Sequence, residues 1–136
     1  FGNGWEEMMP RFVHIDIAAD NPERAADFYR EAFGWTVTSL DGPMPYWLVA
    51  TDPADPSALG AGIGQRAEPW QTTVPTIDVV NADDAAATIV KAGGSIVVPK
   101  TDIPGVGKLV TFKDTEGNVM AVLEADPTGQ WAKPPA

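Results

Sequence analysis

One histidine, no cysteine and 19 carboxylates bound the chemistry open to this chain. Thiolate nucleophiles, thiolate metal sites and disulfides are excluded. Any Ser-His-Asp or multi-histidine scheme must run through His14. That residue sits in Phe12-Val-His-Ile-Asp-Ile17, where Val13, Ile15 and Ile17 alternate with Phe12, His14 and Asp16. The alternation predicts a half-buried strand with the imidazole opposite the aliphatic face. There it is either a hydrogen-bonded sheet histidine or a ligand or acid–base group. Glu124 closes the apolar run Val119–Leu123 and shares a face with Met120 and Val122. A carboxylate so placed lies at an exposed strand end or faces a cleft. Tyr46 and Trp47 are neighbours in a strand, so one of them can stack on a ligand while the other packs in the core. No P-loop, dinucleotide glycine fingerprint or G-x-S-x-G is present. Gly60-Ala-Gly-Ile-Gly64 falls within a strand, where it signals close packing or open room and not a phosphate cradle.

The elements that must position these groups occur twice. Phe12-Val-His-Ile-Asp-Ile17 is matched by Val74-Pro-Thr-Ile-Asp-Val79, and Glu23–Gly34 by Asp83–Gly94. Each copy begins with a strand and continues with a helix. Asp20-Asn21-Pro22-Glu23 offers caps, a first-turn proline and an early acid, and Asn81 caps the second helix. Ala25, Phe28, Tyr29, Ala32 and Phe33 form the first apolar stripe. Ala82, Ala85, Ala86, Ile89 and Val90 form the second. Gly34 and Gly93-Gly94 end the helices. Three strand-like runs follow in each copy, near 35–40, 45–51 and 58–65, then 95–99, 107–113 and 119–125. The unit is therefore βαβββ, twice: an α+β fold in which each helix covers one face of a four-stranded sheet. The uncovered faces are expected to curve around a shared cleft. Residues 10–126 read as one domain with modules 10–66 and 72–126; 1–9 and 127–136 are tails. Ile103-Pro-Gly-Val-Gly107 is either a mobile loop over the cleft mouth or a tight turn.

The composition limits the partners. At 136 residues, 44% hydrophobic, with 13 Gly and 13 Pro, the chain has the make-up of one ordered domain. A net charge of −10 disfavours nucleic acid and anionic membranes. No stretch has the build of a secretory signal or of a membrane span, so a cytoplasmic location and a small-molecule ligand are expected.

With these residues in view, the sequence resembles the vicinal oxygen chelate superfamily: glyoxalase I, bleomycin-resistance proteins and extradiol dioxygenases. The resemblance covers residues 10–126. It is carried by Phe12–Ile17, Asn21–Trp35, Asp41–Val49, Thr101–Gly107 and Phe112–Asn118, the last three of which are similar to a bacterial glyoxalase-like subgroup. It implies metal ligands on the first and last strands of each module. Here those positions hold His14, Gln65, Thr76 and Glu124. His14, Gln65 and Glu124 would form an incomplete site for one divalent ion (Zn, Ni, Co, Mn or Fe), with Thr76 where a second histidine would serve. One histidine and one carboxylate fall short of the iron-dioxygenase triad.

The resemblance thus implies a small organic ligand in the inter-module cleft, touched by Trp47, Tyr46, Thr76 and Gln65. Glu124 and His14 would act as catalytic groups in lyase- or isomerase-type chemistry, with or without metal. The alternative is a non-catalytic protein that sequesters a drug-type molecule, as bleomycin-resistance proteins do. A homodimer is expected, supported by Trp5 and Trp131 in the tails.

Overall fold

The computed structural model describes residues 10–40, 45–55 and 57–129. Residues 1–9 with Trp5, 130–136 with Trp131, and the 41–43 loop lie outside these residues. The chain divides into two compact units, Val13–Pro75 and a second that runs on from Thr76 and includes Phe12.

The first unit is built from β1 (Arg11–Ala19), α1 (Pro22–Phe33), β2 (Thr36–Leu40), β3 (Tyr46–Ala50) and β4 (Gly60–Gln65). Its strands lie in the order β2-β3-β4-β1. β1 and β4 are parallel, and the other neighbours are antiparallel. The second unit repeats the plan with β5 (Thr73–Asp78), α2 (Ala82–Lys91), β6 (Ser95–Ile103), β7 (Gly107–Lys113) and β8 (Val119–Ala125), ordered β5-β8-β7-β6. The α+β class and the doubled βαβββ plan are those expected from the sequence.

Local chemistry fixes the helix ends. The Asn21 side chain accepts from the Arg24 N–H at 3.1 Å, and Pro22 opens α1 where no N–H is needed. Gly34 takes φ 69° and returns its N–H to the Arg30 carbonyl. Asn81 caps α2 in the same way through the Asp84 N–H, at 2.9 Å. Each helix covers one sheet face. Under α1 lie Ala19, Val37, Val49, Ala61 and Ile63, joined by Ile15, Ile17 and Trp47. Under α2 lie Val110, Phe112 and Val122, joined by Ile77, Val79 and Met120.

The helix stripes differ from expectation. α1 turns Pro22, Ala25, Ala26 and Tyr29 inward, while Phe28 and Phe33 are 57% and 61% exposed. These two rings belong to a surface cluster with Tyr29 and Trp35, in which Tyr29 stacks on Trp35 at 5.4 Å. Val90 of α2 is likewise exposed. The stripe is wider than the strip a single sheet face can cover, so its edges stay in solvent.

β6 extends past the expected run to Ile103, through Pro99. It is the last strand of its sheet, and its register shifts between Ile96 and Val98 and again between Val98 and Thr101. A proline that cannot donate to the ladder is tolerated at such an irregular edge. The 103–107 segment is the tight-turn alternative: Val106 N–H donates to the Ile103 carbonyl and Gly105 takes φ 78°. Among the described residues no helix is long and apolar enough to cross a membrane.

Candidate functional site

In the first unit the two-residue period of β1 sends Ile15 and Ile17 toward α1. It sends His14 and Asp16 to the opposite face. β4 lies beside β1, with Gly60 opposite His14, Gly62 opposite Asp16 and Gly64 opposite Ala18. β3 is the next strand, and Tyr46 pairs with Gly64. The Tyr46 ring lies across β4 and brings its hydroxyl to β1. There it donates to Asp16 Oδ1 at 2.6 Å and stands 2.9 Å from His14 Nε2. His14 Nε2 is also 3.1 Å from Asp16 Oδ1. One proton arrangement satisfies all three: the phenol O–H directed at Asp16, and the Nε2–H of His14 directed at the phenol and carboxylate oxygens. His14 is 5% exposed, whereas the Asp16 side chain is 41% exposed. Burial, then the Asp16 charge and hydrogen bond, push the Tyr46 phenol far above its ordinary range. The triangle thus combines a held phenol, a held imidazole and a carboxylate reachable by a small molecule.

The other expected site residues lie elsewhere. Gln65 pairs with Ala19 on the α1 side of its sheet, and its Nε2 donates to the Asp20 carbonyl at 3.1 Å. Glu124 shares its face with Val122 and Met120 as expected, but that face is the one under α2. Its Oε1 accepts the Ala82 N–H at 2.9 Å, and Lys108 Nζ stands 3.8 Å from Oε2. Glu124 is therefore a helix-end acceptor at the positive end of α2, which corrects the cleft-facing expectation. Thr76 is buried on the face away from α2, in one row with Ala121 and Thr111. Trp47 packs in the core under α1, so of the two adjacent aromatics Tyr46 is the one on the other face. Glu124→Ala should cost about 1 kcal/mol through the lost helix-end acceptor. Urea unfolding measures this, and an unchanged midpoint would refute the capping role.

A model of the Glyoxalase/Bleomycin resistance protein/Dioxygenase superfamily matches residues 11–122. The chain belongs to that superfamily. CFP32 of Mycobacterium tuberculosis, which carries a glyoxylase name, is 30% identical over 120 residues, covering 82% of this chain and 43% of CFP32. The anthracycline biosynthesis protein DnrV of Streptomyces peucetius is 27% identical over 125 residues, covering 79% of this chain and 44% of DnrV. The chain thus spans less than half the length of these two relatives. Among solved structures, a methylmalonyl-CoA epimerase variant of Streptomyces coelicolor superposes with a TM-score of 0.65 at 15% identity, covering 92% of this chain and 98% of the epimerase. At that identity the likeness is one of fold.

The superfamily's divalent metal does not fit the residues present. His14 and Gln65 lie on opposite faces of one sheet, and Glu124 faces its own helix. Among the described residues no three His, Asp or Glu side chains gather into a metal-holding group. Two residues of the triangle's neighbourhood escaped the sequence reading. The match of Asp16 to Asp78 in the repeat points to a shared folding role, and Gly62 is one of three glycines in a run that signals close packing or open room. The repeat frame carries the signal for Gly62, whereas Asp16 has an aspartate at the matched position. By the strand pairings, where the first copy has Tyr46, His14 and Gly62, the second has Gly107, Thr76 and Leu123.

Proposed function

We propose that this superfamily member binds a small organic carbonyl compound at the face of its first sheet turned away from α1. There it moves a proton at the carbon beside the carbonyl, without a metal in the step. The Asp16–Tyr46–His14 triangle carries the reading. Asp16 Oδ1 is engaged by the phenol, and among the described residues nothing hydrogen-bonds Oδ2. Oδ2 takes the proton, and the C–H electron pair passes into the carbonyl system as an enolate. A proton passed from Asp16 to the neighbouring carbon, or delivered from solvent to the opposite face of the same carbon, completes an isomerisation, so atoms and charge balance. The fold shared with a methylmalonyl-CoA epimerase supports this class of reaction.

Hydrogen exchange from heavy water into methylmalonyl-CoA and into the glutathione hemithioacetal of methylglyoxal, followed by NMR, tests the proposal. Exchange is expected with one of these probes and should persist in chelator. No exchange with either, relative to a His14→Ala/Asp16→Asn control, overturns it. The homodimer belongs to the same proposal: sedimentation should give twice 14.4 kDa, and a monomer mass at micromolar concentration refutes it.

A second reading is non-catalytic sequestration of a planar, cationic drug-type molecule. It is favoured by the likeness to DnrV and by the −10 charge, which attracts cations at long range. Titration with daunorubicin, followed by its fluorescence, separates the two. Saturable 1:1 binding without proton exchange supports sequestration, and no binding up to about 100 μM removes it.

A further inference from the structure

We infer that Gly62 is a positioning residue: its missing side chain lets the Tyr46 ring pass over β4 and deliver its hydroxyl to Asp16 and His14. The inference deepens the proton-transfer reading and uses its site, but its test needs no substrate.

Tyr46 sits on β3 and its partners sit on β1, so the ring must cross the whole of β4. Its path runs from above Gly64, its own register partner, to above Gly62, the partner of Asp16. A Cβ built on Gly62 would overlap the phenol oxygen and its ring carbon. A Cβ on Gly64 would meet the ring edge at 3.6 and 3.8 Å, which is ordinary contact. None of the three glycines of β4 takes a positive φ. The backbone there accepts any L-residue, so the requirement at Gly62 is for space alone.

The second copy shows the same frame without the device. By the strand pairings Leu123 stands in the place of Gly62 and Gly107 in the place of Tyr46, so the second copy has neither the ring nor the gap it passes over. The acid–base cluster is therefore installed by a matched pair of residues, a tyrosine and the glycine it passes over, and in one copy only.

The chain has two tyrosines, so Tyr29→Phe leaves Tyr46 as the sole phenol. In that background the near-ultraviolet tyrosinate band reports Tyr46 as pH is raised, while circular dichroism confirms the fold. The parent phenol should resist ionisation well above the ordinary range. Adding Gly62→Ala should expel the ring and bring its titration down toward about 10. Adding Gly64→Ala should leave the titration where it was. A folded Gly62→Ala protein that titrates like the parent overturns the inference.

Should Gly62→Ala fail to fold, Gly62→Ala/Tyr46→Leu decides the matter, because it removes the ring that the new Cβ would meet. It should fold and melt within roughly 5 °C of Tyr46→Leu alone. Failure of this double variant to fold would place the clash elsewhere than the ring and refute the inference. A shifted phenol in a protein that exchanges no protons on either probe would leave the positioning role standing and remove the proposed reaction instead.

Discussion

Asp16→Asn is expected to slow hydrogen exchange on the responsive probe by about 10²–10⁴-fold, the range typical of a lost general base. The substitution keeps the size of the side chain and its ability to accept from Tyr46, so the fold should stand. What it removes is the basic oxygen that takes the proton. Phenol titration in the same variant provides a second readout. Two of the three causes that raise Tyr46 come from Asp16, but burial is the largest. The phenol should therefore drop part of the way toward its ordinary value and no further. A rate loss under about tenfold, with the phenol titration moved, would show that Asp16 positions Tyr46 without serving as the base.

Tyr46→Phe should flatten the loss of stability at alkaline pH. An unfolded phenol releases its proton near about 10. The folded protein holds the Tyr46 proton well above that pH. Its contribution to stability is fully present below the unfolded value and is lost as pH rises past it. The slope approaches about 1.4 kcal/mol per pH unit until the folded phenol itself ionises. Phenylalanine has no proton to lose, so urea unfolding from about pH 9 to 11.5 should show a shallower decline for the variant. The hydrogen bond to Asp83 holds Lys100 above its usual value, but this group is common to both proteins. Equal slopes would mean that the phenol is not held by the folded state.

The fold was legible because it is written twice. The matched Ile-Asp motifs, the Asn21 and Asn81 caps and the Gly34 stop each rest on a local rule, and each is present in the structure. The site was legible only in part. Alternation correctly grouped Glu124 with Met120 and Val122, but period two says which residues share a face and not which face the helix takes. Gln65 went astray for the same reason, and both side chains hydrogen-bond backbone beside the start of a helix. His14 and Tyr46 were both picked out, yet their meeting depends on a ring crossing a strand at Gly62. No spacing rule along the chain encodes a contact between residues 32 positions apart.

The parallel pairing inside each unit also orders events in time. β1 meets β4, and β5 meets β8, across roughly 45 residues of intervening chain. The antiparallel β2–β3–β4 and β6–β7–β8 ladders close over much shorter loops and can form as soon as their residues are made. Each first strand must wait for the last strand of its copy before it can join the ladder. On the ribosome, His14 and Asp16 would emerge early but find Tyr46 in place only after Gln65 has been synthesised, so assembly of the polar cluster coincides with closure of the first sheet.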